Sequence, residues 1–221
     1  MLTIEANSIP DAWFQLLYNL QDYGRKYTIQ KGSMEGETRL QYEFITVKVI
    51  NPYTEPWEEM LPQIPAALSI PDPVTIEYLH DYVTYLITPE KKEGEAYTYG
   101  ERIAEQINHW VYVLAKTPET NQAILQVAQP SDMCLEDPPC LRHIGMNVIN
   151  KKLNFYPYFR SWDLWGGFPA NMAGIAVLQN HMADMIGIEP GIMVAASNGL
   201  HVYGYAEELM RIRTHKTKGD W

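Results

Sequence analysis

The stretch EDPPCLRHIGMNVINKKLNFYPYFRSWD, residues 136–163, carries the clearest signals of fold and chemistry in this chain. Its IGMNV and LNFYPYF segments, joined by INKK, are typical of a β-hairpin, because two strand-like runs flank a short polar turn. Cys140 stands directly behind Pro138 and Pro139, which restrict the backbone, and directly ahead of the first run. A cysteine that only packs does not need this rigid placement, whereas a catalytic nucleophile gains from it.

The rest of the chain mixes helices and strands without regular alternation, which favours an α+β fold. Apolar spacing and capping residues predict a short C-terminal helix and four longer ones at 8–23, 74–87, 101–116 and 171–186. Alternating apolar runs predict further strands at 40–49, 123–129, 192–197 and 200–205. At this length we expect a single domain over residues 1–221.

The predicted strand at 40–49 contains a change of phase. Its apolar residues fall on even positions up to Phe44 and on odd positions from Ile45 onward. A β-bulge near Phe44 would accommodate this shift, and burial of both strand faces is the alternative. The following segment, 51–73, is rich in proline and is predicted to be irregular.

Composition argues against several classes of function. The formal net charge of −10 disfavours a surface for nucleic acid or an anionic membrane, because both require a basic face. No run of about 18 apolar residues predicts a membrane span, and the N-terminus lacks the basic and apolar regions of a signal peptide. The only two cysteines, Cys134 and Cys140, match no zinc or disulfide pattern. We therefore expect a cytoplasmic protein without a metal site.

Polar side chains accumulate between Cys140 and Tyr203, where a strand-rich core makes them costly unless they have partners. The segment FRSWDLWGGFPAN contributes four of them: Arg160, Ser161, Asp163 and Asn171. SNGLHVY adds His201 and Tyr203, which share one face of a strand because they are two residues apart. A thiol, a guanidinium, an amide and further hydrogen-bonding groups indicate a site for an anionic substrate, without specifying the reaction.

Five ordered motifs resemble the thymidylate synthase family. They are Tyr99-Gly100 ahead of the helix at 101–116, DPPC, RSWD, GGFPANMAG and HVY, and Cys140 precedes Arg160 by 20 residues as in that family. The chain is most similar to the compact archaeal branch. The resemblance implies a three-layer α+β fold in which a mixed β-sheet forms the interface of a homodimer. It also implies reductive methylation of dUMP to dTMP by a methylene-tetrahydropterin.

By the same resemblance, Cys140 is the nucleophile that adds to C6 of the pyrimidine and activates C5. Arg160 binds the nucleotide phosphate and lowers the pKa of the thiol, and Ser161 adds a second phosphate donor. Asn171 contacts the pyrimidine edge, because its amide both donates and accepts hydrogen bonds as uracil requires.

The other implied roles concern the ribose, the one-carbon donor and a proton. His201 and Tyr203 hold the ribose hydroxyl, and Asp163, a catalytic residue, lies on the pterin side. Tyr99 helps to organise removal of the C5 proton, through water, and Glu77 is the candidate for the family's N-terminal catalytic glutamate. The donor is methylene-tetrahydrofolate or, because the chain ends KTKGDW without the apolar tail that closes over folate, methylene-tetrahydromethanopterin.

Two further departures concern the phosphate and ribose contacts. The family's two consecutive arginines after the third predicted helix, which serve the partner's phosphate site, are replaced by Asn121 and Gln122. Three residues are candidates to compensate for the lost charge: Arg39, Arg25 and Arg142. The family's Asp two residues before the late histidine is Gly199 here.

Alternatives stay open at this level. A pyrimidine-nucleotide hydroxymethylase acting on dUMP, UMP, dCMP or CMP would use the same fold, with water instead of hydride completing the reaction. A non-catalytic nucleotide-binding homologue is the third possibility. Asn171 favours uracil over cytosine, and it is also a candidate N-cap for the helix at 171–186. Cys134 is interpreted as a packing residue.

Overall fold

The computed structural model describes residues 1–216, in which the helices are α1 (Ile9–Tyr23), α2 (Ile76–Ile87), α3 (Tyr99–Lys116), α4 (Gly167–Ile186) and α5 (Glu207–Thr214). The first three begin at a hydroxyl side chain that accepts from a backbone amide, as Thr98 Oγ1 does from Glu101 at 2.9 Å. Gly187, with a φ of 82°, ends α4 in the left-handed conformation expected of it. The predicted helices are confirmed, although α4 begins at Gly167 and not at residue 171. In this described part of the chain, no helix is long and apolar enough to cross a membrane.

The strands form two mixed sheets. They are β1 (Leu2–Ala6), β2 (Arg25–Thr28), β3 (Thr38–Gln41), β4 (Ile45–Val49), β5 (Ile124–Gln126), β6 (Leu141–Ile149), β7 (Lys152–Phe159), β8 (Trp162–Asp163), β9 (Glu189–Ser197) and β10 (Leu200–Tyr203). The first sheet has the order β1-β4-β9-β7-β6-β5 and the second β2-β3-β10-β8. Both contain parallel and antiparallel pairs, so the predicted α+β class is confirmed.

The stretch 136–163 forms the predicted hairpin of β6 and β7. Its turn residues, Asn150 and Lys151, have φ values of 53° and 60°, as a two-residue hairpin turn that follows the strand twist requires. The register shifts between Leu141 and His143, so a bulge lies directly after Cys140, where the chain enters the sheet. Cys140 therefore lies at the open end of a well-paired hairpin, directly before β6.

The predicted strand at 40–49 is in fact two strands in different sheets. β3 ends at Gln41 and pairs with β2 and β10, whereas β4 begins at Ile45 and pairs with β1 and β9. The prediction of one strand with a bulge near Phe44 is wrong, because the change of phase marks the crossing from one sheet to the other. Tyr42 lies at this crossing and donates its hydroxyl hydrogen to the Leu16 carbonyl at 2.7 Å, which ties the crossing to α1.

α4 lies at the centre of the fold and is buried on nearly all sides. It packs on β7 and β9 of the first sheet and on α1, α2 and α3. The contact between α2 and α3 explains the Tyr-Gly motif, because a Cβ on Gly100 would lie 1.8 Å from the Thr88 carbonyl oxygen. Only glycine permits this approach, and the approach sets the position of Tyr99 at the start of α3.

Candidate active site

One face of the second sheet is polar. Residues that pair directly across neighbouring strands have their side chains on the same face. By this criterion the face consists of Arg25, Tyr27, Arg39, Gln41, Asp163, His201 and Tyr203. On the opposite face Leu200 and Val202 are fully buried in the core. Strand register therefore brings Asp163, His201 and Tyr203, all predicted site residues, onto one surface.

The backbone around Cys140 is held by hydrogen bonds from both sides. The Arg160 amide donates to the Cys140 carbonyl at 2.9 Å, and the Leu141 amide donates to the Tyr99 hydroxyl at 3.3 Å. Arg160 Nε also donates to the carbonyls of both preceding prolines, each at 3.2 Å. The Arg160 side chain thus clamps the double-proline turn and retains further N–H groups for a ligand.

Cys140 is half-buried, and the pKa of its thiol is raised above the ordinary value. Burial is the largest cause, and the charge of Asp137 adds to it. Three guanidiniums act in the opposite direction: those of Arg160, Arg142 and Arg39. Arg160 has the expected effect on the thiol, but burial outweighs it, so the expected net lowering is not found. The resting cysteine is a neutral thiol with positive charge close by.

The amide of Asn171 has a fixed orientation. Its Oδ1 accepts a hydrogen bond from Trp162 Nε1 at 2.9 Å, and an indole nitrogen can only donate. The indole is itself packed against Phe159 and Phe168, with ring centroids 4.0 and 4.8 Å away. Asn171 lies inside α4, which begins at Gly167, so its interpretation as an N-cap is wrong. The other end of the amide is the amino group, a donor that also approaches the buried Tyr82 hydroxyl.

Asp163 holds the backbone that leads into α4. Its Oδ2 accepts from the amides of Gly166 and Gly167, both at 3.0 Å, and its Oδ1 accepts from the Trp165 amide at 3.2 Å. Burial raises the pKa of Asp163, and the three amide hydrogen bonds counteract it. A carboxylate has about four lone-pair positions, so acceptor capacity remains. Helix capping is an observed role that sequence patterns did not indicate, and a contact to a bound ligand stays a prediction.

His201 is 1% exposed, and only one of its ring nitrogens is satisfied. Nδ1 lies 2.6 Å from the Gly199 carbonyl oxygen, so Nδ1 carries the hydrogen and Nε2 is an acceptor. Nε2 is buried without a partner among residues 1–216. Burial lowers the pKa of His201 to about 4, which keeps the ring neutral near pH 7. A buried acceptor without a donor is costly, and a ligand hydroxyl would satisfy it.

Gly199 is explained by close packing. A Cβ at this position would lie 2.7 Å from the Arg160 carbonyl oxygen and 3.1 Å from Ser161 Cα. The start of β10 therefore rests directly on the backbone that links β7 and β8, and an aspartate would not fit. This packing also places the half-buried Ser161 beside β10, next to Arg160.

Tyr99 and Tyr203 both lie near the cysteine. Burial raises the pKa of Tyr99 strongly, so its hydroxyl stays protonated. The Tyr203 ring meets the His201 ring edge-on, with centroids 4.5 Å apart. A charge on the Cys140 sulfur acts on both tyrosines. Tyr99 at the start of α3 and Tyr203 at the end of β10 therefore both lie within reach of the charge of this thiol.

The sequence patterns did not reveal a buried ion pair that lies beside the site. Arg102 Nη2 binds Asp132 Oδ1 at 2.9 Å, with side chains that are 11% and 2% exposed. The Arg102 guanidinium also lies 5.5 Å from the Tyr97 ring centroid, and Tyr97 donates to the Asp137 carbonyl at 3.3 Å. The start of α3 thereby holds the loop that leads to Cys140. The sequence signal was only an arginine on a helix, and such residues are usually solvated.

Other residues singled out in the sequence lie apart from these. Glu77 is exposed in the first turn of α2, where hydrogen bonds, first from its own backbone amide, lower the pKa of its carboxyl. Asn121 and Gln122 are exposed, and Cys134 is exposed and not packed as expected. The C-terminal tail lies outside the described residues from position 217 onward. Within residues 1–216, no group of three or more His, Cys, Asp or Glu side chains is placed to hold a metal ion.

Comparison with known proteins agrees with the motifs. A family model described as thymidylate synthase matches residues 7–219. A protein of Methanosarcina mazei named "Putative thymidylate synthase" is 29% identical over 209 residues, covering 91% of this chain and 89% of that protein. A protein of the same name from Methanopyrus kandleri is 26% identical and covers 91% of this chain and 93% of its own length. With the family model spanning α1 to α5, this chain belongs to the thymidylate synthase family.

Proposed function

We propose that this protein is a methyltransferase that converts dUMP to dTMP by reductive methylation, with Cys140 as the nucleophile. The surroundings of the Cys140 sulfur carry the proposal. The backbone is clamped on both sides, and Arg160 and Arg142 bring positive charge without a carboxylate at salt-bridge distance among residues 1–216. In a protein with a net charge of −10, a thiol beside uncompensated guanidiniums suits an anionic substrate that is attacked by sulfur.

In the proposed reaction, the Cys140 sulfur adds to C6 of the pyrimidine, and the displaced electron pair makes C5 nucleophilic. The thiol must lose its proton first, and the charge of Arg160 favours this loss against the effect of burial. Once C5 has bonded to the one-carbon unit, the C5 proton leaves. Tyr99, protonated because it is buried, orients a water for this step instead of acting as the base. The electron pair left by this proton would expel the pterin nitrogen from the one-carbon unit. A hydride from the pterin would then complete the methyl group as the Cys140 sulfur leaves C6, which restores the C5–C6 double bond.

Three contacts would position the nucleotide. Asn171 presents its amino group, which can donate to the O4 carbonyl of uracil but would face the amino group of cytosine. His201 Nε2, a buried acceptor, would receive the hydrogen of a ribose hydroxyl, with Tyr203 beside it. Arg160, with its remaining N–H groups, would bind the phosphate together with the Ser161 hydroxyl. Of these contacts, the orientation of Asn171 supports uracil over cytosine.

The donor is a methylene-tetrahydropterin, which supplies the carbon and the hydride when bound. Asp163 fits this group, because its carboxylate keeps acceptor capacity after capping α4 and a pterin ring presents N–H donors. Asp163 would therefore orient the pterin beside the nucleotide. Methylene-tetrahydrofolate and methylene-tetrahydromethanopterin share this feature, so the assay must compare them.

We also propose that residues 1–221 form one domain and that the protein is a homodimer. Along β7 and β9, buried residues alternate with half-buried ones: Tyr156, Tyr158, Ile192, Val194 and Ala196. The half-buried set gives the outer face of the first sheet an apolar character that a second copy would cover. The molecular mass in solution tests this assignment.

The proposed reaction is tested by incubating the protein with dUMP, UMP, dCMP or CMP and either methylene-pterin. Mass spectrometry of the nucleotide should show dTMP from dUMP alone. A hydroxymethylated nucleotide would assign the hydroxymethylase reaction instead, with water as the last reactant. If dUMP neither binds nor reacts with either donor, the proposed function is wrong.

A further inference from the structure

Arg39 is a cation without a charge partner in the described structure. It is half-buried on the polar face of the second sheet, and no carboxylate of residues 1–216 lies within salt-bridge distance. Its Nε donates to the Tyr27 hydroxyl, and its Cζ lies 4.9 Å from the Tyr27 ring centroid. These contacts hold one edge of the guanidinium and leave its terminal N–H groups for a ligand.

The charge of Arg39 reaches three residues of the candidate active site. It counteracts the burial that raises the pKa of Cys140 and Tyr203. It also adds to the burial that lowers the pKa of His201. Charge effects of this kind fade beyond about 10 Å in salt, and Arg39 is the direct cross-strand neighbour of Tyr203. The pairing of β3 with β10 therefore puts the Arg39 guanidinium on the same sheet face as Tyr203 and His201.

The segment 118–123 cannot supply this charge. It runs beside the far end of β6, where the Met146 amide donates to one of its carbonyls at 2.9 Å. Six residues of strand separate Met146 from Cys140, a distance of about 20 Å. Asn121 and Gln122 are uncharged, so this segment offers no cation to its own site or to that of another copy.

We propose that Arg39 binds the phosphate of the nucleotide in the site formed by Cys140 of the same chain, so that each protomer supplies the arginines of its own phosphate site. This inference rests on the proposed function, which makes a nucleotide monophosphate the ligand. Arg160 and Arg142 each spend N–H groups on the carbonyls of the proline turn. Arg39 adds terminal N–H groups that can form two parallel hydrogen bonds to one phosphate.

Binding of dUMP to position-39 variants tests the role. Arg39→Gln removes the charge and Arg39→Lys keeps it. Lys48→Gln is the matched control, because it removes a cation of the first sheet that is paired with Glu5. Tyr27→Phe removes the hydroxyl that accepts from Arg39 Nε. We expect Arg39→Gln to weaken dUMP binding about 10- to 100-fold, as for a lost charged hydrogen bond. We expect Arg39→Lys and Tyr27→Phe to be intermediate, and the Lys48→Gln control to stay within about threefold. Deoxyuridine, which lacks the phosphate, should bind wild type and Arg39→Gln equally.

The outcomes separate this inference from the proposed function. If Arg39→Gln binds dUMP like wild type while Arg160→Gln binds it weakly, the inference is overturned and the proposed function stands. If wild type binds no pyrimidine nucleotide, the proposed function fails. Binding of inorganic phosphate then tests whether Arg39 holds an anion. Weaker phosphate binding by Arg39→Gln than by wild type supports an anion site at Arg39, and equal binding overturns the inference.

Subunit mixing tests the same-chain assignment. Arg39→Gln and Cys140→Ser chains with different tags are co-expressed and the mixed dimer is purified. If Arg39 serves its own chain, the mixed dimer contains no intact site and its activity stays at the level of the single variants. Recovery of up to about half of the wild-type activity would show that Arg39 acts across the interface, as expected for one intact site of two. An active monomer would establish the same-chain assignment directly.

Discussion

The buried pair of Arg102 and Asp132 gives a sharp prediction for stability. Asp132 Oδ1 accepts from Arg102 at 2.9 Å, and Oδ2 accepts from the Gln129 amide at 2.8 Å. Burial alone would raise the pKa of Asp132, but these hydrogen bonds and the arginine charge lower it. In Asp132→Asn the side chain has one acceptor end and one donor end. Either Arg102 or the Gln129 amide must then face a donor.

The expected cost is about 3 kcal/mol, at the lower end of the roughly 3–5 kcal/mol measured when one partner of a buried pair is removed. For a chain of 221 residues this corresponds to a fall in Tm of roughly 6–12 °C. The matched control is Glu5→Gln, which breaks an exposed pair with Lys48 whose side chains are 58% and 39% exposed. That change should cost less than about 1 kcal/mol.

Urea unfolding of wild type, Asp132→Asn and Glu5→Gln measures these differences. The double variant Arg102→Met/Asp132→Leu should recover much of the lost stability, because an apolar pair needs no charge partner. Asp132→Asn should also speed alkylation of Cys140 in the folded protein, since the pair holds the loop before it. Equal destabilisation by Asp132→Asn and Glu5→Gln would refute the reasoning that this pair is a buried clamp.

Three further predictions concern single residues. Between pH 6.5 and about 4, His201 binds a proton in the unfolded chain but not in the folded protein, because burial lowers its pKa to about 4. The free energy of unfolding should therefore fall by roughly 3 kcal/mol as the pH drops through this range. Urea unfolding of His201→Gln should not show this fall. The rate of Cys140 alkylation by iodoacetamide should rise with pH around a midpoint above that of an ordinary cysteine, and Asp137→Asn should lower the midpoint, because the Asp137 charge raises the thiol pKa. Gly100→Ala should cost about 3 kcal/mol or more, since its methyl group would meet the Thr88 carbonyl. By calorimetry, Gly145→Ala should cost less than about 1 kcal/mol, because the nearest atom is 3.5 Å from the added carbon.

Local patterns predicted most of the elements. The Ser8 cap and apolar spacing located the helices, and the polar turn between two strand-like runs located the β6–β7 hairpin. These features depend on neighbours in the chain, which is why sequence alone reveals them. The change of phase near Phe44 was also visible, but its meaning depended on which strands pair with each half.

Contacts between distant segments could not be predicted in this way. Arg39 faces Tyr203 only because β3 pairs with β10 in one register, and a shift by one residue would turn it to the other face. The orientation of Asn171 depends on Trp162, whose own position depends on ring packing. In each case the sequence indicated the residue, and contacts with distant segments determined the direction and the hydrogen-bonding partners of its side chain.

The balance of energies around the thiol also needed the structure. A cation beside Cys140 predicts a lower pKa, and burial predicts a higher one. Three arginines act in the first direction, yet burial prevails. Residue types indicate both effects, but only the depth of the site decides between them.

Covalent activation by Cys140 is tested most directly by release of tritium from C5 of labelled dUMP. Addition of the sulfur to C6 makes C5 exchangeable, so wild type should release tritium to water. Cys140→Ser should release none above background while still binding dUMP, because Arg160, Asn171 and His201 are unchanged. Tritium release by Cys140→Ser at the wild-type rate would contradict a covalent role for this cysteine.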